Sequence, residues 1–153
     1  MSNLDALYQE VILDHNRKPR NFHPMEDATN EVSGHNPLCG DELTLWLKMA
    51  DDRVEDISFV TPPGKGCAIS KASASLMTSA VKGRTKEEAL ALFEKFHALV
   101  TGHLPDEEAR QSLGGLQALG GVARFPIRVK CASLAWHALK SALQGGGQQV
   151  STE

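Results

Sequence analysis

An α+β fold is the class this sequence predicts: a small antiparallel β-sheet of about three strands, covered on one face by helices. Three observations lead there. Residues 41–50, DELTLWLKMA, alternate apolar and polar side chains, the period of a strand with two unlike faces. A second strand-like run, Val54 to Thr61, follows the polar turn Asp51-Asp52-Arg53 and is ended by Pro62 and Pro63. From Ala68 onward the periodicity becomes helical, so strands come first and helices after.

The remaining elements follow in order. Leu4, Leu7, Tyr8, Val11 and Ile12 stand at helical spacing in an amphipathic helix that reaches about Arg17, and Pro19 and Pro24 prevent its continuation. A weaker strand around Asn30 to Ser33 precedes the two strong ones. AISKASASLMTSAVKG is a helix stopped at Gly83, and its small residues Ala72 to Ser75 let it pack closely on the sheet. Thr85 and Glu88 form a capping box that opens KEEALALFEKFHALV, closed by Gly102. PDEEAR makes a further helical turn, and the Gly-rich LGGLQALGGVARF is the least regular stretch. A last helix starts near Arg128 and carries the apolar stripe Leu134, Ala135, Ala138, Leu139, Ala142 and Leu143. These elements make one domain over residues 1–144, and the polar tail 145–153 is expected to be flexible.

Composition narrows the function. The 153 residues carry a net charge of −3, which advertises no basic surface for a phosphate backbone, so nucleic acid is set aside as a main partner. The N-terminus lacks a basic segment followed by an apolar one, and no run approaches the roughly 20 apolar residues of a membrane span. A cytoplasmic protein is expected. In a reducing compartment its three cysteines, Cys39, Cys67 and Cys131, remain thiols, which leaves burial as small hydrophobes, metal ligation or sulfur chemistry.

All three cysteines fall at element boundaries. Cys39 lies in the loop entering a strand, Cys67 at a strand-to-helix junction, and Cys131 in the first turn of a helix. Helix-terminal N–H groups favour thiolate at the last two. Three thiolates and the carboxylate of Asp41 form a four-ligand set of the kind zinc accepts, with Arg128 and Lys130 near enough in sequence to offset the excess negative charge. The spacing matches no zinc ribbon or finger. Taken singly, each cysteine is also explained as an inert core residue, Asp41 as a turn residue and His35 as a solvated loop residue rather than a base for Cys39. GKGCAIS lacks the Lys-Ser/Thr ending of a phosphate loop.

Four segments in order, LYQEVILDHNRKPRNF, NPLCGDELTL, GKGCAISKASASLMTSAVKGRT and FPIRVKCASLAWHALKSAL, resemble the signatures of the U-type iron-sulfur cluster assembly proteins, across residues 4 to 144. The resemblance is nearest to the SufU branch. The IscU scaffold branch has His immediately before the third cysteine, where this chain has Lys130, and lacks the segment corresponding to residues 103 to 123. The resemblance implies an α+β fold with the three cysteines and the aspartate at one exposed end. It implies zinc on Cys39, Asp41, Cys67 and Cys131, and a zinc-dependent sulfurtransferase of iron-sulfur cluster biogenesis. Cys39 would accept persulfide sulfur from a SufS-type, pyridoxal-phosphate cysteine desulfurase and pass it to downstream assembly machinery. Arg128 would orient Asp41 or Cys39. The alternatives are a scaffold on which a [2Fe-2S] cluster is assembled and transferred, and a zinc-stabilised binding module.

Overall fold

The computed structural model describes residues 3–37, 40–103, 113–144 and 149–151. Helix α1 (Asn3–Arg17) leads into strands β1 (Asn30–Asn36), β2 (Asp41–Ala50) and β3 (Arg53–Val60). Helices α2 (Ala68–Val81) and α3 (Lys86–Val100) follow, then a 3₁₀ helix (Gly114–Arg124), helix α4 (Pro126–Leu143) and a short strand β4 (Gln149–Ser151). The PDEEAR turn lies outside the described residues, as does Cys39.

β2 is the middle strand of an antiparallel trio, paired with β1 from Asn30↔Leu47 to Asn36↔Asp41 and with β3 from Thr44↔Val60 to Ala50↔Arg53. The β2–β3 turn needs only Asp51 and Asp52, both at positive φ (51° and 62°), the pattern of a tight hairpin whose twist matches its strands. Leu43, Leu45 and Leu47 point inward and are at most 3% exposed, while Thr44, Trp46 and Lys48 on the other face are half-exposed. Trp46 donates to Glu31 across the strand pair at 2.6 Å, and Lys48 pairs with Asp27 at 2.7 Å.

β1 runs three residues beyond the expected Ser33. Its inward positions are Val32, Gly34 and Asn36, all buried, and two of these three are not apolar, so hydrophobic alternation does not reveal the strand's second half. The tail also departs from expectation. Residues 149–151 add a fourth strand, parallel to β1 along Ser33–His35, and supply backbone partners on the side of β1 away from β2.

Helix α4 packs across β1, and Gly34 sets how closely. A Cβ at that position would stand 3.1 Å from Leu134 Cδ1. Gly34→Ala is therefore expected to push Leu134 and α4 outward and to cost about 1 kcal/mol, at the low end for overpacking, read from the midpoint of urea unfolding. An unchanged midpoint would show that Leu134 yields freely.

The small-residue run of α2 serves a different neighbour from the one expected. Ala72 through Thr78 are all buried, and the helix sits mainly between α1 and α4, with a smaller contact to the sheet at β3. Small side chains on nearly every face let two helices approach at once. His15 on α1 is hydrogen-bonded to Ser75 at 2.7 Å, and Ser73 donates to the Ala132 carbonyl of α4. Thr85 and Glu88 make both bonds of the capping box, at 3.1 and 3.0 Å.

The Gly-rich stretch is a 3₁₀ helix over Gly114–Arg124, long for its kind. With three residues per turn, Leu116, Leu119 and Val122 fall on one line, continuing from Leu113, and all four are at most 4% exposed. The spacing of three is the signal that an α-helical template passes over.

Candidate metal centre

The site is built where the β1–β2 hairpin, the β3–α2 junction and α4 meet. Asp41 is the first residue of β2 and faces inward like Leu43, at 2% exposure. A carboxylate so placed requires hydrogen-bond donors. Cys67 supplies two: its backbone N–H reaches Oδ1 at 2.9 Å and its thiol reaches Oδ2 at 3.4 Å.

The PPGKG loop brings Cys67 there. Lys65 donates its backbone N–H to Pro62 at 3.0 Å, and the Lys65 carbonyl accepts the Glu42 N–H at 2.7 Å, tying the loop to the start of β2. Gly66 is required by contact, since a Cβ would lie 2.3 Å from Thr61 Cγ2. Gly66 thus serves close passage of the chain, and Gly64 a turn at positive φ (77°).

Cys67 is also the N-cap of α2: its backbone is extended and its sulfur accepts the Ser70 N–H at 3.4 Å. The hydrogen bond with the Cys131 sulfur is the largest influence on its acidity, and it acts together with Ser70 against burial and the Asp41 charge. The net result is a thiol lowered from 9.0 to about 7, so that thiolate is well populated at neutral pH.

Cys131 arrives differently from expectation. Helix α4 begins at Pro126, so Cys131 is its sixth residue, beyond the first turn and the reach of the terminal N–H groups. It is buried at 4% exposure, with the Asn36 side-chain amide 3.9 Å from its sulfur. One ligand atom from each of Asp41, Cys67 and Cys131 lies within 4.8 Å of the others, and no further group of three such side chains gathers among the described residues.

The other expected site residues take different places. Residue 39 belongs to the four-residue connection between Asn36 and Asp41, which pair directly, and the Gly40 N–H closes it onto the Asn36 carbonyl at 2.8 Å. Arg128 is exposed, and its guanidinium lies over the exposed Phe125 ring at 4.5 Å. Lys130 is half-buried. His35 lies on β1 rather than in a loop, and strand alternation sends it to the exposed face, opposite from Asn36. Sequence reasoning missed Asn36 and Ser70, both buried, because an asparagine before Pro37 and a serine after Cys67 look like ordinary turn and cap residues.

Comparison with known proteins identifies the family. The family model for the NifU-like N-terminal domain matches residues 7–145. The chain belongs to that family. The iron-sulfur cluster assembly scaffold protein IscU of Streptococcus pyogenes serotype M1 is 45% identical, over 94% of this chain and 87% of its own. The zinc-dependent sulfurtransferase SufU of Bacillus subtilis is 44% identical, over 93% of this chain and 92% of its own. Among solved structures, FiSufU of the SUF system from Fervidobacterium islandicum AW-1 superposes with a TM-score of 0.80 at 34% identity, covering 90% of this chain and 97% of that one. The α+β fold is thus the fold of the IscU and SufU relatives. Among the described residues no helix is long and apolar enough to cross a membrane.

Proposed function

We propose that this chain is a zinc-dependent sulfurtransferase of iron-sulfur cluster biogenesis, taking sulfur onto Cys39 from the persulfide of a SufS-type cysteine desulfurase. The observation that carries the reading is the convergence of Asp41, Cys67 and Cys131 at the end of the hairpin whose connection contains Cys39. The donor set fits zinc. Bonds of about 2.3 Å to sulfur and about 2.1 Å to oxygen in a tetrahedron separate sulfur from oxygen by roughly 3.6 Å. Cys67 Sγ and Asp41 Oδ2 stand 3.4 Å apart.

Cys39, Asp41, Cys67 and Cys131 would hold the metal. Zinc bound there keeps its thiol ligands deprotonated at neutral pH and offsets part of their charge. The protein's own part in transfer is nucleophilic. The Cys39 thiolate attacks the terminal sulfur of the donor persulfide; a sulfur–sulfur bond forms at Cys39 as the donor's breaks, and the donor cysteine leaves as thiolate. One persulfide replaces another, so no oxidant is needed. Arg128, whose guanidinium lies over the Phe125 ring, would steer the anionic persulfide or orient Asp41 or Cys39. The pyridoxal phosphate belongs to the desulfurase.

The scaffold reading has its own support, since a thiolate-rich set also suits an iron-sulfur cluster and the Streptococcus relative is named as a scaffold. One experiment separates the two: elemental analysis of the purified protein, then its effect on alanine production by a SufS-type desulfurase. About one zinc per chain and stimulation abolished by Cys39→Ala is expected. Little zinc, no stimulation and ready uptake of a cluster from iron and sulfide would make the protein a scaffold. Zinc without any Cys39-dependent stimulation would leave a zinc-stabilised binding module.

A further inference from the structure

We propose that Asn36 is a positioning residue of this centre: its side-chain amide, donated to Cys131 Sγ, sets where that sulfur stands relative to Asp41 and Cys67. The inference rests on the proposed metal site and extends it to a residue that is not a ligand.

The need arises from how α4 places Cys131. Sitting past the first helical turn, Cys131 lacks the terminal N–H groups that Cys67 enjoys through Ser70. At 4% exposure it draws little help from water. A sulfur that carries negative charge in such surroundings is stabilised by a hydrogen-bond donor, and bonds to charged acceptors are the stronger kind. Asn36 brings a neutral amide N–H to 3.9 Å from that sulfur.

The backbone aims this amide. Asn36 is wholly buried, directly opposite Asp41 in the strand register, and its carbonyl is held by the Gly40 N–H. It shares the inward face of β1 with Gly34, whose missing side chain admits Leu134, three residues from Cys131 on α4. Helix and strand are thereby brought close enough for a side chain as short as asparagine to span them.

A second asparagine shows the structural alternative. Asn30, at the opposite end of β1, donates its side-chain amide to the Ala142 carbonyl near the far end of α4. Two amides thus clasp one strand to one helix. The Asn30 clasp ends on a backbone carbonyl, whereas the Asn36 clasp ends on a candidate ligand atom. Asn30→Ala therefore serves as a control for loosened strand–helix packing without a change at the sulfur.

The test is zinc affinity, measured in competition with a chromophoric chelator, together with the thiolate-to-metal charge-transfer band of the cobalt(II) form. Asn36→Ala is expected to weaken zinc binding by about 10- to 100-fold, the range for loss of a ligand's hydrogen-bond partner, and to shift the band. Asn36→Asp, nearly isosteric but with a carboxylate facing the sulfur, should weaken it at least as much, and Asn36→Ser should recover part of the loss. Asn30→Ala should lower the unfolding midpoint and leave affinity and band in place. Wild-type affinity within twofold and an unshifted band in both Asn36→Ala and Asn36→Asp would overturn the assignment, as would equal losses in Asn30→Ala. A wild-type chain that takes up no metal would overturn the metal site and this inference with it. Should the Asn36 variants fail to fold, ¹¹³Cd-loaded wild-type protein decides. The Asn36 side-chain amide protons should move on loading and couple to the metal through the sulfur, and resonances indifferent to cadmium would refute the role.

Discussion

Cys67→Ser is expected to lower zinc affinity by more than about 100-fold, beyond the effect of losing an outer hydrogen-bond partner, while the metal-free chain keeps the stability of wild type. Cys67→Ala should lose the metal equally and also destabilise the metal-free chain by about 1 kcal/mol. The difference arises because one sulfur has two separable tasks. It caps α2 by accepting the Ser70 N–H, and it faces Asp41 and Cys131 in the candidate metal centre. A serine hydroxyl is among the best N-caps, so it replaces the first task; it is a poor zinc ligand and does not replace the second. Chelator competition reads the metal, and urea unfolding in the presence of a strong chelator reads the cap. If Cys67→Ser binds zinc within threefold of wild type, Cys67 is not a ligand.

Trp136→Ala should cost about 3–5 kcal/mol, a large part of the 5–15 kcal/mol that holds a typical domain together. Trp136 is 1% exposed and stacks on Phe96 with ring centroids 4.4 Å apart and planes inclined by 14°. Its Nε1–H donates to Ser73 at 3.1 Å, and Ser73 in turn donates to Ala132 one turn back on α4. This cluster joins α2, α3 and α4. Trp136→Phe keeps much of the stack and loses only the N–H bond, so a loss of about 1–2 kcal/mol is expected. A Trp136→Ala loss below about 1.5 kcal/mol by urea titration would show that the core collapses into the space.

Much of the fold was legible because local chemistry and tertiary position agree. Leu43, Leu45 and Leu47 alternate and are buried in alternation. Thr85 and Glu88 stand where a capping box requires them, and both bonds form. Pro62 and Pro63 follow one residue after the end of β3 at Val60. Where the two disagree, sequence reasoning fell short. β1 continues to Asn36 although Gly34 and Asn36 occupy inward positions, since one admits a helix and the other meets a thiol. The 3₁₀ helix repeats every three residues rather than 3.6, and residues 149–151 join the sheet on the side of β1 away from β2.

The site divides along the same line. Besides Cys39, sequence by itself identified Asp41, Cys67 and Cys131 as candidates from residue type and local position, although it placed Cys131 in a first helical turn that the structure puts earlier. Their meeting within 4.8 Å was decided by the tertiary structure, in which a strand start, a helix cap and a mid-helix position converge from distant parts of the chain. The surroundings of Cys67 and Cys131 divide in the same way. A helix terminus is written in the local sequence, as at Cys67, whereas the donor for Cys131 comes from a neighbouring strand, and no local pattern encodes a contact across 95 residues.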